Sequence, residues 1–125
     1  MLCLASAGAI AAFAASSFTL SWTHSVERTL WRESWVVADD RLALVEASVE
    51  GSGAGIALPP DAVWSEGRWH YVPDLPPVPE LVLAASGMTA SPWRFCLPDG
   101  SCQDLGRTAG APDRIWAAAD CSSYR

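Results

Sequence analysis

The sequence has no basic cluster anywhere along its 125 residues; charged side chains are only 18% of the chain and sum to −6. Nucleic acid and anionic membrane surfaces both reward clustered Lys and Arg, so neither is expected as a partner. An acidic balance of this kind mainly keeps a protein soluble. Disorder is excluded too. Half of the residues are hydrophobic, enough apolar surface to offset the entropy of ordering the chain.

Other absences narrow the chemistry. No internal repeat is visible. The spacing of the cysteines and of His24 and His70 repeats no zinc finger or ribbon, so no metal or other cofactor is expected. The glycines of residues 51–55 lack a Walker lysine and follow no parallel strand feeding a helix, so they read as tight bends rather than a phosphate loop. No convincing amphipathic helix occurs. Residues 26–37 come nearest, with Leu30 and Trp31 beginning a stripe, but Thr, Trp and Val are weak helix formers and no cap is evident.

Seven tryptophans stand out. Each can bury roughly 200 Å², so Trp22, Trp31, Trp35, Trp64, Trp69, Trp93 and Trp116 supply the material of a core, and any left outside suggests a binding face. At this length one domain is expected, enclosing a single core with little margin.

Residues 1–17 are an uncharged apolar run ending in small residues, and Ala12, Phe13 and Ala14 have the small-x-small form of a signal-peptidase site. They read as a signal peptide, although no Lys or Arg precedes the run. An uncleaved anchor is the runner-up, since about 17 residues is the short limit for spanning a bilayer; it would be the protein's one contact with a membrane. A buried segment of a cytoplasmic protein is the third reading. Cleavage after Ala14 would remove Cys3 and leave Cys96, Cys102 and Cys121, an odd number for an oxidising compartment. Pro98, Asp99 and Gly100 make a turn that sets Cys96 opposite Cys102, so a cross-strand disulfide there is the first choice. Chain entropy alone leaves Cys121 open as a partner of either.

From Phe18 the pattern has the strand period of two. Phe18, Leu20 and Trp22 share one face of a first strand, and Trp31, Glu33, Trp35 and Val37 share one face of a second, which stops at the Asp39–Asp40 turn. Residues 41–50 continue as a third, in which the apolar set changes face; that implies a bulge near Val45. Residues 62–72 read as a hairpin bent at Gly67. The prolines of residues 73–79 impose an extended connector between two halves. Further strands follow at residues 81–84, 93–97, 102–105 and 115–119. Eight or nine short strands with turn signals between them predict an all-β fold, a single antiparallel β-sandwich or partly open barrel over residues 18–125.

The chemistry-bearing residues cluster early. His24 and Ser25 are adjacent in an extended segment and point apart, so they cannot act as base and nucleophile in place. His24 and Glu27 are expected to brace a turn, with Arg28 or Arg32 paired to Glu33. The sharper alternative is a small recognition site for an anion or carboxylate, built from His24, Ser25, Glu27, Arg28, Arg32 and Glu33 with the backbone of Gly53 and Gly55. A hydrolase or thiol enzyme is the third reading, motivated by an unpaired Cys121.

Trp22, Thr23, His24, Ser25, Val26 and Glu27, then Glu33 to Val36, Leu42 to Leu44 and the glycines of residues 51–55 resemble the bacterial family of domain of unknown function 1850, over about residues 20–85. The resemblance implies a small exported protein of uncharacterised activity, encoded beside tripartite ATP-independent periplasmic (TRAP) transporters of the TAXI type. It implies as partners the transporter subunits or the TAXI solute-binding protein, a periplasmic location and a non-enzymatic accessory role, and it carries over no catalytic residue.

Overall fold

A computed structural model of the chain describes residues 1–23, 29–50, 58–83, 92–106 and 110–122. Among these the regular elements are all strands: β1 (Leu2–Ser6), β2 (Ala9–Phe13), β3 (Ser17–Thr23), β4 (Leu30–Ala38), β5 (Arg41–Glu50), β6 (Val63–Ser65), β7 (Arg68–Tyr71), β8 (Glu80–Leu83), β9 (Trp93–Cys96), β10 (Cys102–Leu105) and β11 (Asp113–Ala117). They form a small sheet in the order β2-β1-β11-β8 and a large one in the order β10-β9-β3-β4-β5-β7-β6, antiparallel throughout. The expected sandwich is present, and neither sheet closes into a barrel.

The two inner faces make one core. From the large sheet come Phe18, Leu20, Trp35, Leu42, Leu44, Phe95 and Leu105, and from the small one Leu2, Leu4, Leu83, Ile115 and Ala117. Phe18 stacks on Trp35 and tilts against Phe95, with ring centroids 6.4 and 5.4 Å apart. Strict alternation along β3 explains why Phe18 and Leu20 reach this core while Thr19 and Ser21 do not.

Between β4 and β5 the register shifts by one residue: Ser34 faces Glu46, but Trp35 faces Leu44. Val45 is the extra residue, and at 43% exposure it points away from the core. The bulge lets Leu42 and Leu44 on one side of it, and Ala47 and Val49 on the other, share the inner face although their spacing changes parity. The turns follow the sequence as well. Asp39 takes φ +59°, and Glu66 and Gly67 take +56° and +77°, the paired positive values of a tight two-residue hairpin. The proline connector runs from the large sheet to the small one, and on the way Val78 exchanges two 2.8 Å backbone hydrogen bonds with Leu42.

Strands β1 and β2, within the first 17 residues, are part of the small sheet. β1 lies between β2 and β11, with Leu2 opposite Ala117 and Leu4 opposite Ile115. Leu2 and Leu4 enter the core while Cys3 is buried on the other face, where it joins Cys121 in a disulfide. Cys121 is therefore paired, contrary to the odd thiol counted after removal of Cys3. A strand buried on both faces carries no polar alternation, so β1 reads in the sequence as a plain apolar run. The disulfide covers Trp116, which with Cys3 and Cys121 makes a second, minor core on the outer face of the small sheet.

The second disulfide is the expected one. Cys96 and Cys102 face each other across the β9–β10 hairpin, their Cα atoms 4.1 Å apart. Gly100 closes the loop at φ +92°, and the Asp99 carboxylate accepts bonds from the Ser101 N–H and hydroxyl at 2.8 and 2.6 Å. Those two bonds hold Asp99 below the usual carboxylate range.

Candidate functional site

Of the residues singled out in the sequence, His24, Ser25, Glu27, Arg28, Gly53 and Gly55 lie outside the described residues. Arg32 and Glu33 are described, and as neighbours in β4 they project from opposite faces of the large sheet. They do not converge on one ligand, and Glu33 is not paired to Arg32. Its carboxylate accepts the indole N–H of Trp35 at 3.1 Å, and burial pushes its pKa above the ordinary value, the Trp35 bond acting in the opposite sense.

On the inner face, beyond the area packed by the small sheet, the register aligns five of the seven tryptophans. Trp22 faces Trp31, Trp31 faces Val49, Val49 faces Trp69 and Trp69 faces Trp64. Trp93 continues the row on the far side, its ring centroid 4.7 Å from that of Trp22. The row crosses six adjacent strands, and its rings satisfy one another in tilted, stacked and edge-on contacts. Glu33 and Tyr71 lie one row deeper, each opposite Ala47. Burial and then the charge of Glu33 raise the Tyr71 pKa. The Trp31 indole nitrogen is buried without a hydrogen-bond partner among the described residues.

The outer face of the same strands is polar. Arg68 donates from Nε to the Ser48 hydroxyl and from a terminal nitrogen to the Leu30 carbonyl, both at 3.1 Å, and sits 3.8 Å from Glu50, which accepts the Leu30 N–H at 2.9 Å. Burial and then the charge of Arg32 lower the Arg68 pKa, while Glu50 opposes them. This knot ties the start of β4 to β5 and β7. Next to it, His70 contacts Glu46 through Nδ1 at 2.9 Å and the Ser65 carbonyl through Nε2 at 3.2 Å. His70 opens onto a solvent-facing cleft of about 450 Å³ also lined by Glu46, Asp61, Val63, Glu66 and Val72. Among the described residues no group of three or more His, Cys, Asp or Glu side chains is arranged to hold a metal ion.

The family described as domain of unknown function (DUF1850) matches residues 18–105. The chain belongs to the DUF1850 family. No curated protein and no solved structure matches it. The DUF1850 match opens in β3 and closes with the last residue of β10, so it takes in the large sheet and β8, and leaves β1, β2 and β11 outside. The aromatic row, the arginine knot and the His70 cleft therefore all belong to the DUF1850 segment. Both cysteines of the β9–β10 disulfide fall within it, whereas Cys3 and Cys121 do not. All four thiols are oxidised, the state that suits an oxidising compartment outside the cytoplasm. Among the described residues no helix is long and apolar enough to cross a membrane.

No local pattern announces the His70 cleft, because Glu46 and His70 are 24 positions apart. The signal that finds it is the pairing of Ser48 with His70 across β5 and β7, which puts Glu46 one same-face step away.

Proposed function

We propose that this DUF1850 protein is an exported accessory domain that works by protein contact, without turnover, on a TAXI-type TRAP transporter or its solute-binding protein. The observation that carries the contact reading is the gathering of exposed apolar side chains at one end of the large sheet. Val63, Trp64 and Val72 are 60, 52 and 66% exposed there, next to rows whose other members are packed. Val63 and Val72 border the outer cleft and Trp64 emerges on the inner face, so both sides of this end of the sheet offer apolar surface to a partner. The two disulfides support the extracytoplasmic setting, and the family resemblance supports the choice of transporter.

Crosslinking in intact cells, followed by purification of the protein from the envelope fraction, tests the reading. Recovery of a transporter subunit or its binding protein is the expected result. Recovery from the cytosol, or from the envelope with no transporter component, would overturn it.

A further inference from the structure

We infer that the open edge of β6 is a docking site for an extended, basic and apolar segment of a partner protein, which adds to the large sheet as an eighth strand. The inference rests on the contact reading above and names the place and the partner's chemistry.

β6 ends the seven-stranded sheet, with β7 on one side and no strand on the other among the described residues. The two-residue turn at Glu66 and Gly67 makes Ser65 and Arg68 a hydrogen-bonded pair, so the next pair, Trp64 and Trp69, is a non-bonded one. The N–H and C=O of Trp64 therefore point outward from the sheet, one donor and one acceptor in the spacing an antiparallel strand requires. The Trp64 ring packs edge-on against Trp69, centroids 5.4 Å apart, and its exposed remainder ends the aromatic row. An incoming strand would extend that row on the inner face and meet Val63 on the outer one. Main-chain bonds for affinity and alternate side chains for selectivity are how sheet edges take peptides.

Charge decides which peptide. The cleft beside the edge carries the carboxylates of Glu46, Asp61 and Glu66, and its cationic member, His70, is already held by Glu46. Arg68, the nearest guanidinium, is engaged with Ser48, Leu30 and Glu50. The field over the edge is thus negative, and a segment alternating cationic and apolar residues complements it: cations toward the cleft, apolar side chains toward Trp64. A second copy of this chain would bring the same carboxylates against these, so pairing of two β6 edges is disfavoured.

The probe is a fluorescent octapeptide of alternating arginine and valine, compared by anisotropy with its glutamate and valine counterpart and with a version N-methylated at the central residues. The full oxidised protein should bind the first at least about tenfold more tightly than either control, with amide shifts in NMR spectra centred on residues 61–66. Asp61→Arg and Glu66→Arg should each weaken that binding by about tenfold at unchanged melting temperature, and Trp64→Ala should abolish it. Equal binding of the acidic peptide, shifts centred elsewhere, or a dimer through β6 at rising concentration would overturn the inference. Transporter crosslinks that persist in Glu66→Arg and Trp64→Ala would overturn it too, while leaving the contact reading in place. Peptide binding that behaves as described, in a protein recovering no transporter component, would remove the contact reading for that transporter and leave the edge assigned.

Discussion

Trp35 donates its indole N–H to Glu33, two positions back along the same face of β4. A carboxylate is thereby carried into the inner row between Leu20 and Ala47, where burial favours its neutral form.

The expected consequence is a stability profile that rises toward acid for this group. The folded pKa lies above the ordinary 4.5, so the folded state binds the proton more readily than the unfolded one. Its penalty is absent well below that value and complete once the pH has risen through the folded pKa. Glu33→Gln keeps the acceptor for Trp35 and removes the charge. It should raise stability at neutral pH by on the order of 1 kcal/mol and flatten the acid side of the profile, as read from thermal melts between pH 4 and 8.

His70 shifts stability in the same direction, here through a favourable contact of its charged form rather than a penalty on it. Its two acceptors, the Glu46 carboxylate and the Ser65 carbonyl, are both satisfied only by the doubly protonated ring. The Glu46 bond is the main cause of a pKa raised above 6.5, with the Ser65 carbonyl and the Glu46 charge adding to it and partial desolvation and Arg68 opposing it. The resulting stabilisation of the β6–β7 hairpin is full below the unfolded value and fades as the pH rises through the folded one. NMR titration of the imidazole should give a midpoint above that of a free histidine, and Glu46→Gln should bring it down.

The two disulfides should differ in worth. Cys3 and Cys121 are 118 positions apart, and Cys96 and Cys102 only 6. Chain entropy assigns about 5 kcal/mol to the first closure and about 2 to the second. The Cys3→Ala/Cys121→Ala double variant should therefore lose at least about twice the unfolding free energy lost by Cys96→Ala/Cys102→Ala, measured by denaturant titration.

Val45 offers a test of the bulge. Its deletion would leave Ser34 opposite Glu46 and Trp35 opposite Leu44 as consecutive pairs of a regular ladder, every side chain keeping its face. Deletion of Ala47 would turn Ser48 inward and Val49 outward. The first variant should fold, with a loss of about 1 to 2 kcal/mol, and the second should not, as judged by near-ultraviolet circular dichroism.

What was legible in the sequence was local. The parity change that betrays the Val45 bulge, the bend at Gly67 and the cysteine hairpin each lie within a dozen residues and obey steric rules that need no partner. The face shared by Trp31, Glu33, Trp35 and Val37 was legible for the same reason. The roles of β1 and Cys3 were not, because their partners, β11 and Cys121, lie at the other end of the chain, and burial on both faces erases the alternation that identifies a strand. The candidate site divides likewise. Arg32 and Glu33 point apart by the alternation of a single strand, a local rule, whereas the meeting of Glu46 with His70 is a product of pairing between β5 and β7.

The pairing of Leu2 with Ala117 also sets the order in which the molecule can be finished. β1 must wait, apolar on both faces, until β11 has emerged far downstream, so the small sheet cannot zip up vectorially behind synthesis. A long-range closure of this kind is slow and leaves the waiting segment open to aggregation. Until β11 arrives, β1 therefore depends on something other than its final partner to keep its two apolar faces from self-association.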